Sequence, residues 1–243
     1  MNLKLVLEYD GAGFAGWQLQ PQVRTVEGEL RAALGRLPLE VRTLMAAGRT
    51  DAGAHAEGQV VNVHCTPRLP PERLLTALNA HLPDDVAVLR LEVVPESFHA
   101  RYDARWRRYR YRYLDRPVRP ALGRMSAWHI RGPLDVDSMA EAARVLVGRH
   151  DWTTFSTASE PERNRVREIS ACRVDRAGRH VELDMMGQGF LRGMVRGVAG
   201  ALAEVGLGHH PPAWVGEILT RRDRRLAPRP GPARGLTLVE VVY

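Results

Sequence analysis

Lysine is almost missing from this chain. Lys4 is the sole lysine among 35 basic residues, so the positive charge is carried by arginine. The imbalance fits a GC-rich coding sequence, which also enriches alanine, glycine and proline. The formal net charge of +7 does not depend on that bias, and with a pI near 10.1 it points to a polyanionic partner. Cysteine is scarce as well. Cys65 and Cys172 have no CxxC spacing, which excludes a secreted disulfide framework and leaves two reduced thiols. No apolar run approaches the ~20 residues of a membrane span. The first ten residues alternate apolar with polar, unlike a signal peptide. A soluble, cytoplasmic protein is therefore expected, and its 44% hydrophobic content suffices for a core. A low-complexity tail is also lacking.

Periodicity supplies the elements. Leu3, Leu5 and Leu7 alternate with Lys4, Val6 and Glu8 as in a strand. Thr25 reads as an N-cap, with Glu27 and Glu29 in the first turn and Val26, Leu30, Leu34 and Leu37 on the apolar face. Val41 to Met45 and Gln59 to Cys65 read as strands, separated by the loop Ala46 to Gly58. Pro70 and Pro71 open a helix facing inward through Leu74, Leu78 and Leu82, and Val86 to Val93 closes a βαββαβ unit.

The order then repeats. Arg105 to Leu114 is a strand, and Asp135 to Val147 a helix with Met139, Ala143 and Leu146 inward. Val166 to Val174 and Val181 to Met186 form a hairpin around Ala177-Gly178. A helix from Phe190 to Val205, another near Trp214 to Leu219, and a strand from Leu236 to Val242 follow. Arg221 to Arg234, rich in Arg and Pro, reads as an exposed loop. The expectation is an α+β protein of two tandem ferredoxin-like halves, residues 1–100 and 105–243, with the boundary between Pro95 and Ala104.

Four motifs bear on chemistry. Gly11-Ala-Gly-Phe-Ala-Gly16 matches G-x-G-x-x-G after a strand, but a dinucleotide site needs a helix at once, and Pro21 forbids one there. It reads as a structural turn. Asp51, His55, His64 and His81 have no recognised metal-ligand spacing. Ala47 to His55 surrounds Arg49 and Asp51 with small residues, so a ligand can come close to the backbone. A carboxylate beside a cation in such a loop suits an ionised nucleophile; it also suits an ion-paired turn. In Arg105 to Tyr113, Tyr109, Tyr111 and Tyr113 share one strand face and Arg108, Arg110 and Arg112 the other. Such interleaving can stack bases and hold phosphates, or give core tyrosines under solvated arginines.

Taken in order, these segments carry a resemblance. Tyr9-Asp10-Gly11, Phe14 to Gln18, Gly48 to Gly53 with His55, Gly58 to Val60, Asn79-Ala80, Leu82-Pro83, Phe98 to Arg101, Arg107 to Tyr111, Phe190, Met194 to Arg196 and Gly235-Leu236 span nearly the whole chain. With them the sequence resembles the TruA family of tRNA pseudouridine synthases. The resemblance implies two domains whose antiparallel sheets join into one bent sheet with an active cleft between them. It further implies a homodimer without metal or other cofactor, acting on uridines 38, 39 and 40 of the tRNA anticodon stem-loop. Residue by residue, it makes Asp51 the nucleophile, Tyr109 the tyrosine packed on the target base, and Arg196 the second basic residue. Arg49 becomes the arginine that helps hold the target nucleotide out of the stack. Arg108 and Arg110 are further candidate RNA contacts. Gly193, Gly197 and Thr237 depart from the family pattern. Two rivals remain: a non-catalytic RNA-binding protein, which lacks an RNP1 run, and a hydrolase using Asp51 with His55, which lacks a third partner.

Overall fold

The computed structural model describes residues 1–157 and 164–243. It is a mixed α+β protein with five α-helices among the described residues, and its strands pair mostly antiparallel. The chain divides into two compact units: Met1–Arg105 with Leu238–Tyr243, and Trp106–Thr237.

In the first unit, β1 (Asn2–Tyr9) lies between β3 (His55–Pro67) and β4 (Val86–Val94). Because β1 covers one edge of β3 from Ala56 to His64, the other edge is shared. There β2 (Leu39–Ala46) pairs with Val61–Pro67, and β10 (Leu236–Val242) joins the same strand. Gly58 allows β10 in closely, since a side chain there would land on the Val239 carbonyl. The expected face of Val61, Val63 and Cys65 is fully buried.

The helix α1 (Val26–Gly35) starts where its cap predicts: Thr25 Oγ1 accepts from Gly28 N at 3.2 Å. Val26, Leu30 and Leu34 are buried, each worth roughly 1.5–3 kcal/mol. The helix α2 (Pro71–Asn79) is shorter than its leucine spacing suggests. Asn79 ends it by exchanging two 2.8 Å hydrogen bonds with the backbone of Val88 in β4. Leu82 therefore lies past the helix, half-buried.

The second unit is built on β5 (Trp106–Asp115), β9 (His180–Gly187), β8 (Val166–Ala177) and β7 (Gly148–Asp151), paired in that order. A short strand, β6 (Trp128–Ile130), runs parallel to β5. Neither β6 nor β7 shows in the sequence, because three or four residues are too few for a period. The β8–β9 turn is Gly178-Arg179 rather than Ala177-Gly178: Ala177 pairs with His180, and Gly178 takes φ +57° at the first turn position.

Helices α3 (Val136–Arg144), α4 (Met194–Gly206) and α5 (Ala213–Arg221) complete the unit. Leu146 is buried, but past the end of α3. The start expected at Phe190 is corrected to Met194, since Gly193 caps α4 at φ +71°, outside helical geometry. This φ also accounts for glycine at position 193. Nor is α4 one-sided: eleven of its thirteen residues are buried. At Gly197 a Cβ would lie 2.6 Å from the Phe155 carbonyl, and at Gly200 it would strike that of Arg229.

The segment Arg221 to Arg234 is likewise not simply an exposed loop. From Arg229 onward it is laid over Gly200, and Gly231 and Gly235 press against the ring of Tyr111. Both cysteines are free and buried, and burial pushes the Cys172 thiol up to about 12. None of the described helices is long and apolar enough to cross a membrane.

Candidate active site

Asp51 lies in the first unit, on the turn between β2 and β3. The turn is shorter than Ala46 to Gly58, because β3 already begins at His55. Ala54 N donates to Asp51 O at 3.1 Å, and Gly53 takes φ +81°. Three layers of contact fix its backbone. Ala47 N donates to Val60 O and Gln59 Nε2 to Gly48 O, both at 2.8 Å. The buried hydroxyls of Tyr9 and Thr50 share a 2.8 Å hydrogen bond. Finally, Trp17 N donates to Thr50 O at 3.1 Å and Gly53 N to Phe14 O at 3.2 Å.

The third layer gives the glycine run its purpose. Gly11 to Gly13 forms a single 3-10 turn capped by Asp10, not the start of a long helix. The segment then lies flat against the Asp51 loop. At Gly16, φ is +98° and a Cβ would sit 2.8 Å from Thr50 O; at Gly11 it would fall on Ala54 O. The motif is a brace for the loop. His55 belongs to the same brace: its Nδ1 accepts from Gly11 N at 3.1 Å and lies 3.0 Å from Asp10 Oδ1. Arg49 projects from the loop, exposed and ion-paired with no carboxylate among the described residues.

Tyr109, Arg108, Arg110 and Arg196 lie in the second unit. The expected alternation along β5 is present, with Tyr109, Tyr111 and Tyr113 buried and Arg108, Arg110 and Arg112 half-buried. The three tyrosines differ, however. Tyr111 donates to Pro232 O at 2.8 Å and Tyr113 to Ala199 O at 2.9 Å. Burial raises both phenols well above the ordinary tyrosine range. They are core residues that anchor the loop before β10 and helix α4. Tyr109 instead packs its ring edge-on against Phe190, centroids 4.8 Å apart. Phe190 thus serves as the wall of Tyr109 rather than as the first turn of α4.

On the other face, Arg108 grips Asp184 with Nε at 2.8 and 2.9 Å from its two oxygens. Arg110 and Arg112 both meet Glu182, at 3.3 and 2.8 Å. These arginines offset the carboxylates of β9, a duty that the alternation alone does not reveal. Arg196, in the first turn of α4, forms a reciprocal clamp with the loop ahead of β10. Its Nε donates to Gly231 O at 2.8 Å, and Gly231 N donates to Arg196 O at 2.9 Å.

The described residues contain no group of three or more His, Cys, Asp or Glu that could hold a metal ion. Tyr9, Thr50, Gln59, Gly11 and Gly16 fall in the motif segments, but their role as supports of the Asp51 loop is not legible in the sequence. A glycine run after a strand, without a helix behind it, was the available signal for a brace.

Residues 5–103 and 142–243 match the family model described as tRNA pseudouridine synthase. A protein of Brevibacillus brevis named tRNA pseudouridine synthase A is 43% identical, over 100% of this chain and 99% of its own. One of the same name from Moorella thermoacetica is 44% identical over 99% of both chains. A third, from Tolumonas auensis, is 41% identical over 100% of this chain and 93% of its own.

Proposed function

The chain belongs to the tRNA pseudouridine synthase family, and on that footing we propose that it isomerises uridine to pseudouridine at positions 38, 39 and 40 of the tRNA anticodon stem-loop, with Asp51 as nucleophile. The observation that carries this reading is the Asp51 loop, which sets a carboxylate among small residues and has its backbone held by hydrogen bonds with Val60, Gln59, Trp17 and Phe14. Rigid presentation is what a nucleophile needs, because reacting groups must be placed to within a fraction of an ångström.

The reaction breaks the N1–C1′ bond, turns the base and joins C5 to C1′. C5 loses its proton and N1 gains one, so the product is an isomer and no redox partner or energy source is consumed. Asp51 supplies the carboxylate that assists cleavage. Tyr109 receives the base on its ring, and its hydroxyl assists removal of the C5 proton. Arg196 is the second basic residue of the chemistry. Arg49 helps hold the nucleotide out of the stack, a step that any enzyme acting on a stacked base requires. Arg108 and Arg110 are further RNA contacts in this reading. The halves are tandem ferredoxin-like units, and the enzyme works in the cytoplasm as a homodimer without a cofactor. An active monomer by light scattering would defeat the dimer.

The direct experiment is incubation with uridine-labelled tRNA, without added metal or cofactor, scoring isomerisation position by position. Pseudouridine confined to positions 38 to 40 is expected. Product elsewhere in the tRNA would overturn the site assignment, and no product would overturn the function.

The brace allows a second test. In Gly11→Ala the new Cβ meets the backbone carbonyl of Ala54, which cannot swing aside like a side chain. Moving the loop by roughly 1 Å is expected to lower the rate about 100-fold. Gly35→Ala is the control, since nothing lies within 4 Å of its Cβ. Equal single-turnover rates for the two variants would mean that the brace does not position Asp51.

A further inference from the structure

The segment between β4 and β5 combines a buried anchor with an exposed ring. Ala100 is fully buried, whereas Tyr102 is 74% exposed. The anchor is a polar network in the core of the first unit. Asn2 Nδ2 donates to Pro95 O at 3.0 Å and Phe98 O at 2.8 Å, and Asn62 Nδ2 donates to Asn2 Oδ1 at 3.1 Å. Asn62 Oδ1 accepts from Ala100 N at 2.9 Å, and Tyr243 OH donates to Ala100 O at 2.7 Å. Buried amides with both ends satisfied hold a backbone in one place.

Past the anchor the chain folds tightly around His99. Its backbone N donates to Asp103 Oδ2 at 2.9 Å, and Asp103 N donates to His99 O at 3.1 Å. Its Nδ1 accepts from Arg101 N at 3.1 Å and Tyr102 N at 3.3 Å. The imidazole is thereby fixed, and the Tyr102 ring rests beside it with centroids 4.3 Å apart. The Arg101 guanidinium lies 5.7 Å from the Tyr102 centroid. Arg101 is exposed.

Packing does not account for a large aromatic held open to solvent by this much structure. Burying it would stabilise the fold; leaving it out keeps the ring open to a ligand. We infer that Tyr102, set by His99 and with Arg101 beside its ring, is a stacking platform for an unpaired base of the tRNA other than the target uridine. The partner follows from the chemistry: an exposed aromatic ring beside a guanidinium group accepts a nucleobase together with its phosphate, and the chain is basic overall. The inference rests on the tRNA reading above.

The test is tRNA affinity in Tyr102→Ala, Tyr102→Phe and Tyr102→Trp, measured by filter binding over a salt series. Loss of one base stack should raise Kd on the order of 10- to 100-fold in the alanine variant, while Phe and Trp stay within a few-fold of wild type. Stacking releases no counterions, so the slope of log Kd against log salt should be the same in all four proteins. An unchanged melting temperature shows that the alanine variant is folded. Wild-type affinity in Tyr102→Ala overturns the platform and leaves the enzymatic reading standing. A change of oligomeric state in that variant also overturns it, since the ring would then be a protein contact. If wild type itself bound no tRNA, both readings would fall together.

Discussion

Replacing Asp51 with asparagine is expected to give a folded protein that binds tRNA and makes no pseudouridine. The amide matches the carboxylate in size but cannot serve as nucleophile or base. The loop backbone is held by Gly48, Thr50 and Gly53 through Gln59, Tyr9, Trp17 and Phe14. The fold should therefore survive the substitution, which an unchanged circular-dichroism spectrum would check. Removing a negative charge cannot weaken attraction to phosphates. Asp51→Glu should fail as well, since the extra methylene moves the carboxylate roughly 1 Å. In the rigid brace formed by Gly11 and Gly16 the loop has little room to compensate. Single-turnover assays with saturating enzyme separate chemistry from binding. Near-wild-type turnover by Asp51→Asn would remove Asp51 from the chemistry.

Tyr109→Phe is expected to have the second largest effect. The ring and its edge-on contact with Phe190 are kept, and only the hydroxyl is lost. If that hydroxyl moves the C5 proton, the rate should fall by about 100-fold or more, with little change in tRNA affinity. The matched control is Tyr111→Phe, two residues along the same strand face. It loses the hydrogen bond to Pro232 O, which should cost about 1 kcal/mol of stability and leave the chemistry alone. Equal activity of Tyr109→Phe and wild type would reduce the role of Tyr109 to stacking.

Much of this was legible in the sequence, for identifiable reasons. The helix α1 could be placed because its cap and apolar face are both local, and Thr25 does what a capping threonine does. The alternation of β5 was equally plain, because a strand half-covered on one face writes its geometry into every second residue. What remained hidden depends on contacts distant in sequence. Phe190 fits the apolar spacing of α4, yet the left-handed Gly193 stands between them. Arg108 and Arg110 look like free phosphate ligands until Asp184 and Glu182 are found alongside. The glycines at 11 and 16 read as a turn, and only the approach of residues 50–54 explains why no side chain is allowed there.

The strand β10 has a consequence for the order in which the molecule can be made. Leu238–Tyr243 belong to the first unit: Arg105 N bonds Val242 O, and Tyr243 holds Ala100. Residues 1–105 emerge from the ribosome long before that strand exists. Until then the stretch of β3 near Gly58, next to the Asp51 loop, has an open edge, the kind of surface that pairs with stray strands. The first unit must wait for the second to be synthesised before it can close. Ribosome-bound chains halted before β10 should therefore be more sensitive to protease at Gly58 than the released protein. The Asp51 loop would gain its final rigidity only as the last strand docks.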